Sequence, residues 1–381
     1  MTDDAGLMKR RDFLKVATGT AGALLLPGSA SAGDYLLKYS GEPQQNLATP
    51  TSYFDRLITP NDVFFVRSHF GPPALDPKRK VRIEGARTSL ELGVAELRRF
   101  PEVTVTAVLQ CAGNGRALMN PRVPGVQWEH GAMGQAAWTG VRLKDVLEAV
   151  GVSPDAAWVH VLGADLPNKP TVPAFLRGIP VAKALEPDTL IAYRMNGEPL
   201  PLSHGAPFRL VLPGWSGNHW MKWLKVVKLE KEPPKGFFSE KGYRYPRAPG
   251  APGAPVKPED MLPVETFPVK SLIARPAERG VVTAGPQEVV GVAFSGLAPI
   301  ARVEVSVDGG TRWEAAKLEG ESGLGRWQVF RHRFEADRPG AWRAVARATD
   351  ARGNTQPEQP VWNPSGYFWN AWHSVPFEVA G

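Results

Sequence analysis

Cysteine is nearly absent: the 381 residues contain one, Cys111. A single thiol excludes an internal disulfide, an iron–sulfur cluster held by four protein thiolates and a CxxCH haem attachment. Any electrons this chain handles must pass to something outside it, or reside on a cofactor that needs few thiols. Long apolar runs are missing as well. The modest one at residues 16–26 would rise only about 16 Å as a helix, roughly half the hydrocarbon core of a bilayer, so no stable membrane span is expected. Charge of one sign is not concentrated either. Forty-five Lys and Arg against 38 Asp and Glu leave a formal charge of +7, scattered and without an aromatic stripe. That pattern argues against a nucleic-acid partner and fits a local basic pocket for a small anion.

Turn formers and aromatics are what the chain has in quantity. Its 39 Gly and 37 Pro predict short elements joined by many turns. Twelve Trp and 16 Phe within a 43% apolar composition supply two substantial cores at this length. The N-terminus has the three parts of a secretory signal: a basic start, the short apolar run and Ala30-Ser31-Ala32 as a small-residue cleavage pattern. Arg10 and Arg11, followed by Phe13-Leu14-Lys15, resemble a twin-arginine signal over residues 1–32. An ordinary secretion signal that happens to contain the arginine pair is the competing reading. The twin-arginine machinery carries folded proteins, and its use is typical of enzymes that acquire a complex cofactor before export to the periplasm.

Residues 33–245 mix short strands with a few helical stretches, an α+β pattern. Residues 104–110 (TVTAVLQ) read as a buried strand, and residues 208–212 as another, ended by Pro213-Gly214. Apolar positions 143, 146, 147 and 150 lie on one helix face, with Gly151 as the stop. The Pro/Gly-rich stretch at residues 246–264 reads as a linker. Residues 265–381 then look all-β: strand-like runs near 268–273, 287–294, 300–307 and 342–348, with Asp308-Gly309-Gly310 as a turn. Short strands between such turns suggest an immunoglobulin-like sandwich, with packing and subunit association as its roles.

Chemistry concentrates at residues 108–116 (VLQCAGNGR), where a strand gives way to a glycine-rich turn. A cysteine ending a buried strand is commonly an inert hydrophobe. The glycines, amide and arginine that follow Cys111 are poor material for core packing. Glycine lets backbone approach a ligand, Arg116 can balance anionic charge, and a soft thiolate suits a redox metal. Cysteine-protease chemistry needs a positioned histidine, and none of the seven can be paired with this thiol from sequence.

The run at residues 109–114 (LQCAGN) resembles the molybdenum-ligand segment of the sulfite oxidase family. The same family pattern is matched, in order, by residues 64–69, 128–143, 192–201, 204–209, 213–224, 350–357 and 362–373. The resemblance is closest to bacterial periplasmic sulfite dehydrogenases lacking a fused haem domain. It implies a molybdenum–molybdopterin cofactor with Cys111 as its one protein metal ligand, and no haem bound by this chain. Phe65, Val66, Arg67, Ser68, His69, Asp165, His204, Arg209, Trp220, Met221 and Lys222 are the residues it implies around the pterin. His204 and Arg209 suit the terminal phosphate, and backbone at 220–222 could donate hydrogen bonds. Arg67, Arg116, Trp128 and Tyr193 are the catalytic-pocket residues it implies, with Tyr193 beside the metal. The implied reaction oxidises sulfite to sulfate and passes electrons to an external cytochrome c or similar acceptor. The C-terminal segments imply a homodimer.

The sequence departs from the family where Gly115 replaces a second adjacent arginine seen in many animal representatives. A further pocket arginine is expected from the β domain, with Arg331 and Arg333 as candidates. Oxygen-atom transfer on nitrate, a sulfoxide or another small oxyanion is the nearest alternative reaction. A non-enzymatic periplasmic binding or scaffold protein is the alternative of a different class.

Overall fold

Alternating small and branched side chains make the stretch ahead of Cys111 a long strand, Glu102–Gln110, whose last four residues are buried. The computed structural model that shows it describes residues 36–39, 45–167 and 169–381; the export signal expected at residues 1–32 lies outside them. The strand pairs antiparallel along its length with Met133–Arg142, which pairs in turn with Leu190–Met195. Arg209–Val211 joins Leu190–Met195 in the same sheet. A second sheet runs in the order Ser89–Leu92, Val81–Glu84, Leu224–Glu230, Trp158–Gly163, Leu176–Pro180. Its one parallel pair joins Val81–Glu84 to Leu224–Glu230.

The helix Leu143–Val150 buries Leu143, Val146, Leu147 and Val150, and Gly151 ends it with a positive φ of 84°. Burial of each of those side chains is worth about 1.5–3 kcal/mol. They join one core with Ile83, Val105, Trp138, Val161, Leu210 and Val227 from the sheets. The expected strand at 104–110 and the helix at 143–150 are present, and the strand expected at 208–212 forms over Arg209–Val211. No helix among the described residues is long and apolar enough to cross a membrane.

Within the Pro/Gly-rich stretch, residues 247–257 adopt neither helix nor strand. The stretch is closed at its base, because Arg244–Pro246 pairs antiparallel with Met261–Pro263. The chain then turns β-rich. One sheet has the order Lys270–Arg275, Gly285–Phe294, Gln328–Ala336, Lys317–Glu319. The other has Val281–Thr283, His373–Ala380, Gly340–Asp350, Ile300–Ser306, Glu314–Ala315. Ile273, Val289 and Phe330 from the first meet Val303, Ala346 and Phe377 from the second in a shared core.

A third cluster fuses the two halves. Phe54, Val108, Met119 and Met133 pack with Phe267, Phe294, Trp327 and Trp369. Val108 N donates to Gly325 O at 2.8 Å, so the C-terminal part grips the strand that ends at Cys111. Trp327 is the centre of this joint. Its backbone N donates to Gln135 Oε1 (2.7 Å), its indole N–H donates to Leu57 O (3.0 Å), and its ring meets Phe54 edge-on. Trp327→Ala should therefore destabilise by about 3–5 kcal/mol and split the unfolding into two transitions. Denaturant titrations read by fluorescence and circular dichroism check this; a single, unshifted transition would refute it.

Candidate active site

The turn after Gln110 is held by Asn114. Its Oδ1 accepts from Ala132 N (3.0 Å) and its Nδ2 donates to Gln110 Oε1 (3.3 Å). Cys111 N donates to Ala132 O (2.9 Å) and Asn114 N donates back to Cys111 O (3.0 Å), so the thiol stands at a fixed corner. Two glycines in this turn answer to close neighbours. A Cβ on Gly113 would fall 2.7 Å from the Arg116 guanidinium, and one on Gly115 would fall 2.6 Å from Trp369. Gly115 also has φ 92°, a conformation that favours glycine. Phe368 N donates to Ala112 O (3.0 Å), so a C-terminal segment rests directly on the cysteine loop.

Inward from Cys111 lies a cavity. It brings together Phe65, Arg67, Ser68, His69, Asp165, His204, Arg209, Trp220, Met221 and Lys222 with the thiol. Val66 does not line it; that side chain is buried, and its strand pairs Val66 opposite Leu47. Of the backbone donors expected at 220–222, Trp220 N and Met221 N donate to Gly217 O (3.2 Å) and His219 O (2.9 Å) within the chain.

The cavity wall is rich in buried positive charge. Arg209 donates to the carbonyls of His204 and Trp220 (3.0 Å each) and lies over the rings of Trp138 and Trp220. Burial alone pulls its pKa down to about 9. Lys222 donates to Ser203 O (2.8 Å); burial, then Arg209, draws it down to about 7 despite the opposing pull of Asp165. His204 is lowered to about 3 by burial, then by Lys222 and Arg209. Asp165, raised by burial, is the one carboxylate among the lining residues. Buried cations without matching carboxylates are costly unless something anionic joins them.

Outward from Cys111 opens a funnel lined by Arg67, Arg116, Trp128, Lys241, Tyr243, Arg244, Ser365 and Tyr367, and by no carboxylate. Arg116 is clamped there. Its Nη1 donates to Val126 O (3.1 Å), its Nε and Nη2 to Ser365 O (3.3 and 3.2 Å), and its guanidinium lies over the Tyr367 ring. A Cβ on Gly125 or Gly366 would strike this side chain, at 2.7 and 2.8 Å, so the slot is cut to fit it.

Three expectations are corrected here. Tyr193 is not in the funnel: its hydroxyl donates to Glu102 Oε2 (2.8 Å), under the Arg98 guanidinium, and it lines neither space. Its strand turns it to the far end of the sheet, and Tyr243 stands by Cys111 instead. Arg331 is paired with Glu288 and Glu319 and Arg333 is exposed, so neither reaches the site. The additional cations are Lys241 and Arg244. The C-terminal part is more than packing, since Ser365 and Tyr367 line the funnel. A signal for the missed residues was present: Lys241-Gly242-Tyr243-Arg244 is an odd cation–glycine–aromatic–cation run at the edge of a linker.

The donor set fits the cofactor that the sequence implies. Among the described residues no group of three or more His, Cys, Asp or Glu could hold a metal, so a metal at Cys111 must bring its other ligands with it. An organic group that carries sulfur ligands and an anionic tail meets both needs, the tail lying against Arg209, Lys222 and His204.

Residues 69–238 match the family model described as oxidoreductase molybdopterin binding domain, and residues 262–380 match the Mo-co oxidoreductase dimerisation domain. The chain is 36% identical over 361 residues to the mitochondrial sulfite oxidase of Mus musculus, covering 90% of this chain and 64% of that one. It is 32% identical over 364 residues to the sulfite oxidase of Arabidopsis thaliana, covering 88% of this chain and 91% of the relative. The fold matches the crystal structure of the sulfane dehydrogenase SoxCD from Paracoccus pantotrophus with a TM-score of 0.78 at 26% identity, over 94% of this chain and 93% of that one. With two matching domains in order and relatives aligned across both, this chain belongs to the sulfite oxidase family of molybdopterin-binding oxidoreductases.

Proposed function

We propose that the protein oxidises sulfite to sulfate at a molybdenum–molybdopterin centre ligated by Cys111, and passes the electrons to an external cytochrome c or similar acceptor. The observation that carries this reading is the funnel itself: one thiol at its floor, Arg67, Arg116, Lys241 and Arg244 around it, and no carboxylate among the lining residues. Such a surface draws a small oxyanion and repels nothing in it. When bound, the cofactor would supply two-electron redox chemistry and oxygen-atom transfer. Sulfite and water become sulfate, two protons and two electrons.

The chain's own residues bind and orient. Arg116 is fixed by two backbone carbonyls before any substrate arrives, so it needs no reorganisation when charge develops. Arg67 faces both spaces and Trp128 walls the funnel. Asp165, His204, Arg209 and Lys222 would hold the pterin and its anionic end. One thiol leaves the chain no iron–sulfur cluster of its own, so the electrons go to a separate protein. The twin-arginine pattern supports a periplasmic location. The dimerisation-domain match supports a homodimer built on an immunoglobulin-like sandwich. The likeness to a sulfane dehydrogenase favours one second reading, oxidation of sulfane sulfur in the same pocket.

Steady-state assays of the loaded enzyme with sulfite, a sulfane donor, nitrate and a sulfoxide should show cytochrome c reduction with sulfite foremost; full molybdenum occupancy without sulfite turnover would reject the assignment. Cys111→Ser should leave a folded protein whose molybdenum spectrum changes and whose turnover falls by about 100-fold or more; an unaltered spectrum would remove Cys111 from the metal. Mature protein at dilute concentration should run at twice the monomer mass. The cofactor-free protein should also show a pH signature. The Lys222 ammonium sits near 7 when folded and at its ordinary 10.5 when unfolded. Between those values the unfolded chain binds more protons, so stability rises with pH across that window. Thermal melts should show this rise, reduced in Lys222→Met; an identical rise in the variant would contradict it.

A further inference from the structure

We propose that Lys241 sets the charge preference of the funnel: its ammonium draws doubly charged oxyanions toward Cys111 over singly charged ones of the same shape. Four cations line that space, and they are held differently. Arg67 donates to Ser68 O, Arg116 to Val126 O and Ser365 O, and Arg244 to Met261 O. Lys241 is exposed and, among the described residues, has neither a hydrogen bond nor an ion pair. All three of its N–H donors are therefore unspent.

The backbone beneath this side chain is anchored. Residues Phe237–Lys241 form one wide turn, closed by Gly242 N on Phe237 O (2.6 Å). The turn is fastened to strand Leu176–Pro180: Ser239 Oγ donates to Leu176 O (3.1 Å), and Arg177 donates to Phe238 O. Glu240, the acid next in sequence, is bent back along the turn, where its Oε2 accepts from Gly236 N (2.7 Å). It does not line the funnel. Lys241 is thus a charge on a flexible stem with an anchored root, and the neighbouring carboxylate is engaged elsewhere.

The two kinds of cation act differently. A guanidinium tied to carbonyls presents its remaining N–H groups in a set direction, and so reads the shape of a ligand. A free ammonium is a hydrated point charge with no fixed geometry. It acts through its field, and Coulomb energy is linear in the charge of the ligand. On a logarithmic scale its contribution to affinity is therefore twice as large for a dianion as for a monoanion. This deepens the oxyanion reading given above and rests on it for the ligand class. It adds the residue that sorts ligands of that class by charge.

Sulfate and perchlorate are tetrahedral ions of four oxygens that differ by one charge, and neither needs turnover to be measured. Calorimetry on the molybdenum-loaded, oxidised enzyme at low ionic strength reads their binding, with metal content and melting temperature recorded for each variant. Lys241→Met should weaken sulfate about tenfold and perchlorate about threefold. Lys241→Arg keeps the charge and should bind both ions as the wild type does. Added salt should shrink the losses, because an exposed charge is screened. Lys225→Met removes an exposed lysine from strand Leu224–Glu230 and should leave both affinities unchanged. Equal losses of the two ions in Lys241→Met overturn the proposal, and so does undiminished sulfate binding. A loss in Lys241→Arg or in Lys225→Met that matches the loss in Lys241→Met overturns it as well. A wild type that shows the charge pattern yet leaves sulfite unoxidised supports the role of Lys241 and counts against the sulfite reading alone. Sulfite turnover in a wild type with no preference for sulfate over perchlorate does the reverse.

Discussion

An excess of buried positive charge governs this structure. Arg209 is enclosed between two tryptophans and bonded only to carbonyl oxygens, and Lys222 and His204 crowd the same wall with Asp165 as their one carboxylate. Interiors that optimise stability pair such groups or replace them with apolar side chains. Here the sheets, the tryptophans and the strand that ends at Cys111 hold Arg209 and Lys222 in a space where a single carboxylate, Asp165, opposes them. The chain alone is therefore electrostatically incomplete along this wall, and an anion bound there would complete it.

The second constraint is that the site has two owners. Strand Glu102–Gln110 brings Cys111 to the corner, but the slot for Arg116 is closed by Ser365 and Gly366, and the cysteine loop bears Trp369 on Gly115. Trp327 and Gln135 tie the same two regions together deeper down. Rigidity at the funnel thus comes from a joint between domains, a place where looseness would otherwise be expected.

Much of this was legible in the residues. Apolar alternation marked the strand before Cys111, the 3.6-residue period marked the helix at 143–150, and the run after Cys111 announced a site rather than a core. Motif order carried the cavity residues within 64–69, 204–209 and 213–224, because each sits in a short segment whose neighbours also match; Asp165 lies outside those segments. Tyr193 was misplaced for a physical reason: sequence gives no pairing register, and the register here sets its hydroxyl against Glu102, at the opposite end of the strand from Cys111. Lys241, Tyr243 and Arg244 were hidden by adjacency to a stretch of proline and glycine, whose composition describes the backbone and says nothing about where its first residues point. Ser365 contributes a carbonyl oxygen, and backbone contributions leave no mark in the side-chain alphabet.

The seating of Trp369 on Gly115 also orders events in time. Residues near 365 are synthesised some 250 positions after the cysteine loop they cover. While the ribosome is still extending the linker, the Arg116 slot is open on one side and the Cys111 corner lies bare. The funnel exists only after the last strands have folded back, and closing it shuts the loop beneath an indole. Any bulky group destined for the cavity would therefore meet the least obstruction after the first domain has formed and before the C-terminal sheets settle over its edge.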